Sequence, residues 1–237
     1  VSTPPVLTAV AEDYLKVVWS AQEWSQQQVT TTMLARRLGV APSTVSETVR
    51  RLADAGLLEH APYGAVGLTA EGRRHAVAVV RRHRLIETFL VQVLGYGWDE
   101  VHDEAEVLEH AVSARFVEAL AEHLGHPRRD PHGDPIPDAD GTEHLPVAVT
   151  ADVAAPGEGQ VVRISDADPA LLRYLEGVGV VLDARVRVLD RPAAAGVVGL
   201  AVLGPDGPGR EVDLGPAAAA AIWLAAPGEG SPPEPLP

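Results

Sequence analysis

Within the nine residues His102-Asp-Glu-Ala-Glu106-Val-Leu-Glu109-His110, four side chains able to bind a metal ion are spaced to share one helical face. On a helix, residues three and four apart are neighbours, so His102, Glu106, Glu109 and His110 read as one stripe. Val101, Ala105, Leu108 and Val112 form a second stripe that can pack against protein. Concentrated like charge on a helix is mildly unfavourable and invites a compensating cation. Two readings stand on this segment alone: a divalent-metal site, and a solvated acidic face that carries histidines. The chain has no cysteine, so any metal would be held by nitrogen and oxygen.

Other residues could join such a site. His83 and Glu87 are four apart in a helical pattern, a spacing also common in ordinary surface pairs. Asp130-Pro-His132-Gly-Asp134-Pro-Ile-Pro is dense in turn residues and could present Asp130 and His132 together. Asp13 sits beside Tyr14 in an amphipathic segment. Glu106-x-x-Glu109-His110 resembles a zinc-peptidase motif, but Glu replaces the first histidine ligand. No nucleophile motif appears elsewhere, so the chain reads as a non-enzyme, with a metal-dependent hydrolase as the weakest alternative. Glu59-His60, Glu122-His123 and Glu143-His144 read as surface pairs.

The elements that must position these groups follow from periodicity and caps. Thr8 to about Trp24 is an amphipathic helix. After the polar break at Gln26 to Gln28, a short helix from Thr31 stops at Gly39, and a second starts at Pro42 or Ser43. Val45, Val49 and Leu52 turn inward in that second helix. Ser43, Thr44, Ser46, Glu47, Arg50 and Arg51 are left outward, short polar and basic groups suited to a DNA groove. Leu57 to Leu68, with a turn at Pro62-Tyr-Gly, reads as a hairpin, and Thr69-Ala-Glu-Gly caps the next helix. A hairpin after a helix-turn-helix is a wing. The long helix from Thr69 to about Leu94 would span roughly 35 Å.

An acidic helix is expected over Trp98 to Ala111, and another from Ser113 to Leu124 with Phe116, Leu120 and Leu124 inward. Four short β-type runs, at 160–164, 184–189, 197–203 and 210–214, with a helix at 169–177 after the first, fit a small antiparallel barrel. The expected fold is therefore mainly α with small β. Its parts are a winged helix-turn-helix DNA-binding domain over 1–75, an all-α domain with apolar surface for self-association over 76–140, a linker over 141–158, the small barrel over 159–226 and a disordered tail over 227–237.

The net charge of -14 argues against a general nucleic-acid coat, yet residues 1–75 balance 7 basic against 7 acidic side chains. No apolar run reaches bilayer-spanning length and no leader pattern is present, so a cytoplasmic protein without membrane contact is expected.

The order of motifs resembles the diphtheria toxin repressor family of metal-dependent transcriptional regulators, specifically a manganese-type three-domain member. The resemblance is carried by Ala11-Glu-Asp-Tyr-Leu15, Pro42-Ser-Thr-Val-Ser-Glu-Thr-Val49, Leu68-Thr-Ala-Glu-Gly72, Arg82-His-Arg-Leu85, Val101 to His110 and Gly133-Asp-Pro-Ile-Pro137. It implies that the domain over 76–140 is a metal-binding and dimerisation domain and that the domain over 159–226 is SH3-like, with a primary metal site of Asp13, Glu106, Glu109 and His110, joined by His83. It also implies an ancillary site of Glu87, His102 and Asp168, to which Asp130 and His132 are added as in manganese-type relatives. Iron-type members carry methionine and cysteine where this chain has Asp13 and Glu106; the harder donors suit Mn²⁺, with Fe²⁺, Co²⁺ or Zn²⁺ able to substitute in vitro. Lys16 stands where two-domain manganese sensors carry another carboxylate, which points to two separated sites. The implied function is a Mn²⁺-dependent repressor that binds palindromic double-stranded operator DNA as a homodimer, with two dimers per operator as a further option, and controls manganese homeostasis genes. The alternative is an iron- or zinc-responsive regulator of the same architecture.

Overall fold

The structure is a computed structural model that describes residues 7–25, 28–60, 64–204 and 207–226. The expected disordered tail, the turn residues Pro62 and Tyr63 and part of the glutamine break lie outside the described residues. The chain forms two compact units, the first of residues 1–83, 109–111 and 137–142, the second of 84–108, 112–136 and 143–237.

The first unit is built on three helices, α1 (Ala9–Glu23), α2 (Thr31–Leu38) and α3 (Pro42–Asp54). Thr8 and Thr30 cap α1 and α2 by accepting from Ala11 N and Met33 N, each satisfying an otherwise orphaned amide. Gly39 ends α2 at φ +66°, a left-handed conformation that lets the chain reverse into α3 at Pro42. Val45, Val49 and Leu52 join Tyr14, Leu15, Val18 and Trp19 of α1 and Leu34 of α2 in one core. Strands β1 (Leu58–His60) and β2 (Val66–Leu68) pair antiparallel as a hairpin behind them. Thr69 then caps α4 (Ala70–Gln92), accepting from Gly72 N while its hydroxyl donates to Gly56 O. Gly72 is required there, because a Cβ would fall 1.9 Å from Leu57 O.

In the second unit the later part of α4 packs with α5 (Val101–Leu108) and α6 (Ala114–His123) through Leu85, Ile86, Leu90, Val101, Ala105 and Leu120. Phe116, expected inward, is instead 46% exposed, and Val117 and Ala121 fill the inner face. Helix α5 is shorter than expected. It ends at Leu108, so Glu109 and His110 lie in the turn beyond it, and the single stripe read from the sequence is divided: His102 and Glu106 belong to the second unit, Glu109 and His110 to the first.

The remaining strands form one antiparallel sheet in the order β3-β8-β4-β5-β6-β7: β3 (Val149–Thr150), β4 (Gly157–Ile164), β5 (Arg185–Leu189), β6 (Val198–Gly204), β7 (Gly207–Leu214) and β8 (Ile222–Ala225). Helix α7 (Pro169–Gly177) supplies Leu172 and Leu175 to its core, and the one-turn α8 (Pro216–Ala219) precedes β8. Strands β3 and β8 were not anticipated: β3 is two residues long, and β8 continues an alanine-rich run without period-two alternation. Among the described residues no helix is long and apolar enough to cross a membrane.

Candidate metal centre

In the first unit, donor atoms of Asp13, Glu109 and His110 lie within 4.8 Å of one another. Thr8 sets the start of α1 and so places Asp13 one turn in, on a surface adjoining its buried face. His110 turns both ring nitrogens to carboxylates: Nε2 is 2.8 Å from Asp13 Oδ1, and Nδ1 is 2.9 Å from Glu12 Oε2. The Nδ1 contact is the kind of outer carboxylate that orients a histidine so its other nitrogen can ligate. Arg82 Nη2 donates to the same Glu12 oxygen at 2.9 Å. Glu109 is fully buried, its Oε1 accepting from Lys16 Nζ and its Oε2 lying against His83 Nδ1, both at 2.6 Å. Burial alone would raise the Glu109 carboxyl; His83 and Lys16 outweigh it and hold it below the usual carboxylate value.

The second unit holds two overlapping groups, Glu87 with Asp130 and His132, and Glu87 with His102 and Asp166. Glu87, Asp130 and His132 are all buried. His102 Nδ1 lies 3.3 Å from Glu87 Oε1 and 3.1 Å from Asp166 Oδ2, and its Nε2 is 3.4 Å from Glu106 Oε1. His132 Nε2 meets Trp98 O at 2.6 Å, leaving Nδ1 toward Glu87 Oε2 at 4.0 Å. Burial and then the charges of Asp134 and Glu87 push Asp130 up to about 7. His102 is raised to about 11: burial opposes its charge, and the hydrogen bonds to Asp166 and Glu87 overcome that. Asp166 is correspondingly lowered against its own burial by His102. A buried carboxylate held partly protonated by its neighbours is a position where a divalent cation would relieve repulsion, and every donor is oxygen or imidazole nitrogen.

The sequence-predicted residues therefore divide. Asp13, Glu109 and His110 come together with His83 beside Glu109, and Glu87, His102, Asp130 and His132 come together elsewhere. Glu106, expected beside Asp13, sits next to His102 on α5 in the second unit. Asp168, expected as an ancillary ligand, instead caps α7, its Oδ1 accepting from Ala170 N at 2.9 Å and Leu171 N at 3.2 Å. Asp166, two residues earlier, takes the place beside His102. One signal for it was present: Asp166-Ala-Asp168-Pro169 offers two carboxylates where a helix cap needs one. Glu12 was also missed, as was the direct engagement of Glu109 by Lys16. A lysine inside the apolar run Tyr14 to Val18 was the available hint, since a buried ammonium requires a partner.

On α3, Ser43, Thr44, Ser46, Glu47, Arg50 and Arg51 are all exposed, while Thr48 is buried with Val45 and Val49. Ser46 Oγ donates to Pro42 O at 3.0 Å and keeps its acceptor capacity outward.

Residues 6–66 match the family described as iron dependent repressor, N-terminal DNA binding domain. Residues 69–138 match iron dependent repressor, metal binding and dimerisation domain, and residues 151–226 match the FeoA domain. The iron-dependent repressor IdeR of Mycobacterium leprae is 35% identical over 201 residues, covering 79% of this chain and 86% of that protein. A solved manganese-dependent transcriptional repressor in complex with manganese is 57% identical with a TM-score of 0.86, over 91% of this chain and 99% of the other. The manganese regulator SloR is 32% identical with a TM-score of 0.76, over 91% and 98%.

Proposed function

This chain belongs to the diphtheria toxin repressor family of metal-dependent transcriptional repressors, which are not enzymes, and from that premise we propose that it is a Mn²⁺-responsive repressor of manganese homeostasis genes. The observation that carries the choice of metal is the donor set: carboxylate oxygen and imidazole nitrogen at both clusters, in a chain whose one sulfur belongs to Met33 of α2. The 57% identity to a repressor solved with manganese supports it.

Asp13, Glu109 and His110 would hold one ion, with His83 supporting Glu109. Glu87, His102, Asp130, His132 and Asp166 would hold a second. A bound divalent ion supplies positive charge and a common anchor for side chains from distant parts of the chain. Asp13 belongs to the helix that shares one core with α2 and α3, so fixing it to Glu109 and His110 restrains the DNA-reading helices. Binding energy that favours the DNA-competent arrangement tenfold shifts that equilibrium by about 1.4 kcal/mol.

On the same reading, α3 enters the major groove. Ser43, Thr44, Ser46, Arg50 and Arg51 meet phosphates and base edges, and Glu47 accepts from a cytosine amine. A two-fold dimer formed through the helical domain over 76–140 reads an inverted repeat, and one operator accepts up to two dimers. The domain limits 1–75, 76–140 and 159–226 are part of the proposal, supported by the ranges over which the three families match.

Fluorescence anisotropy of a labelled inverted-repeat duplex, titrated with metal-stripped protein plus Mn²⁺, Fe²⁺, Zn²⁺ or Mg²⁺, tests the reading. Activation by Mn²⁺ at lower free concentration than Fe²⁺, shifting toward Fe²⁺ in Asp13→Met, is the expected result. Tight binding in chelator that no ion alters would overturn it. An iron-dependent relative at 35% identity makes activation by Fe²⁺ alone the specific competing outcome.

A further inference from the structure

We propose that Arg163, on β4, is a positioning residue for the Glu87, Asp130 and His132 cluster, acting through Asp134 to hold the loop over 128–137 in its ligand-presenting form. The inference rests on the reading of that cluster as a second metal site.

Asp130 and His132 lie on a segment with no helix or strand of its own, so their placement must come from elsewhere. Part of it is local: Asp130 Oδ1 accepts from His132 N at 2.8 Å and Asp134 N at 2.9 Å, folding the loop over itself. Those bonds set the loop's internal shape but not its position on the rest of the unit. Position comes from the sheet. Ile164 N donates to His132 O at 2.9 Å, and Gly133, at φ +93°, lies so close to β4 that a Cβ would fall 2.1 Å from Val162 O. Arg163 Nε then donates to Asp134 Oδ1 at 2.6 Å, with its guanidinium 4.1 Å from the Trp223 ring on β8. From the opposite side, Arg84 of α4 donates to Pro135 O at 2.6 Å and lies 3.7 Å from Asp130 Oδ2 and 3.5 Å from Asp134 Oδ1.

Asp134 is thus the point where the helical layer and the sheet meet the loop, and it is 5% exposed. Three carboxylates, Glu87, Asp130 and Asp134, are buried in this neighbourhood. Removing Arg163 takes away the 2.6 Å charged donor and leaves Arg84 at 3.5 Å; a buried carboxylate that loses its hydrogen-bonded cation is costly, so the loop shifts to hydrate it and takes Asp130 and His132 along. Arg163 bonds to Asp134, which is not one of the cluster's donors, so its effect on an ion is exerted through the loop.

The test uses the full chain, metal-stripped, titrated with Mn²⁺ by calorimetry, with apo thermal unfolding measured alongside. Wild type binds two ions and Glu87→Gln loses the second. Arg163→Gln weakens the second ion by roughly 10- to 100-fold, the range seen when outer-shell partners are removed, and leaves the first unchanged. Arg163→Lys, which still offers an ammonium to Asp134, recovers part of that loss. Wild-type affinity for both ions in Arg163→Gln overturns the proposal, as does an equal weakening of both ions with a lowered apo unfolding midpoint. A single ion in wild type, or two in Glu87→Gln, overturns the second-site reading itself and the positioning role with it.

Discussion

The two candidate centres hold similar residues and balance their charge differently. In the first unit the carboxylates face fixed cations: Lys16 is bonded to Glu109 and Arg82 to Glu12, and Glu109 is held ionised. In the second unit much of the balance is made by protons, with Asp130 pushed up to about 7 and His102 to about 11. A lysine or arginine cannot leave when a metal arrives, whereas a proton can. The contrast predicts that the first centre responds to metal mainly by rearrangement, and the second by exchanging protons for the ion.

The largest effect that would break this contrast is on stability. Lys16→Met leaves Glu109 buried with only imidazoles against it, His83 at 2.6 Å and His110 at 3.4 Å, and is expected to cost roughly 3 kcal/mol in urea unfolding of the metal-free chain. A cost near zero would show that Lys16 does not balance Glu109 and remove half of the comparison.

Next comes pH. Asp130 in the metal-free protein keeps its proton up to about pH 7 and His102 up to about 11, so lowering pH strengthens the protons' competition with the ion. Affinity at the second centre should rise between pH 6 and 8 by about tenfold per pH unit for each proton displaced. Glu109, already held low, releases none over that window. Mn²⁺ calorimetry in buffers of different ionisation enthalpy, with Asp13→Ala isolating the second centre and Glu87→Gln the first, checks this. Equal pH slopes at the two would dissolve the distinction.

The smallest effect separates neighbours. Asp168→Ala should cost about 1 kcal/mol through loss of the α7 cap and leave Mn²⁺ binding unchanged. Asp166→Ala should weaken the second ion with little change in α7. The reverse pattern would restore Asp168 as a ligand and take Asp166 out of the second centre.

Much of the fold was legible because local rules agreed with the tertiary outcome. Thr8, Thr30 and Ser113 start helices where a capping side chain can accept an orphaned amide, Gly39 ends one where a left-handed residue is needed, and Pro169 to Gly177 forms the expected helix. The outward face of α3 was also readable, since period 3.6 separates Val45, Val49 and Leu52 from their polar neighbours. Strand β8 was not, because its alanine-rich approach carries no alternation. Phe116 was misplaced because a large apolar residue at helical spacing fits either face until its neighbours are known.

The sequence by itself determined the chemistry on offer: oxygen and imidazole donors without sulfur, a helix-turn-helix with short polar and basic side chains outward, and the order of three domains. Only the tertiary structure decided how those donors are shared. It ended α5 at Leu108, sent His102 and Glu106 to one unit and Glu109 and His110 to the other, and put Asp166 beside His102 while Asp168 caps α7. Helical spacing specifies neighbours only while the helix lasts. Beyond its last turn, which side chains meet is set by the packing of segments distant in sequence, as Lys16 with Glu109 and Arg163 with Asp134 show.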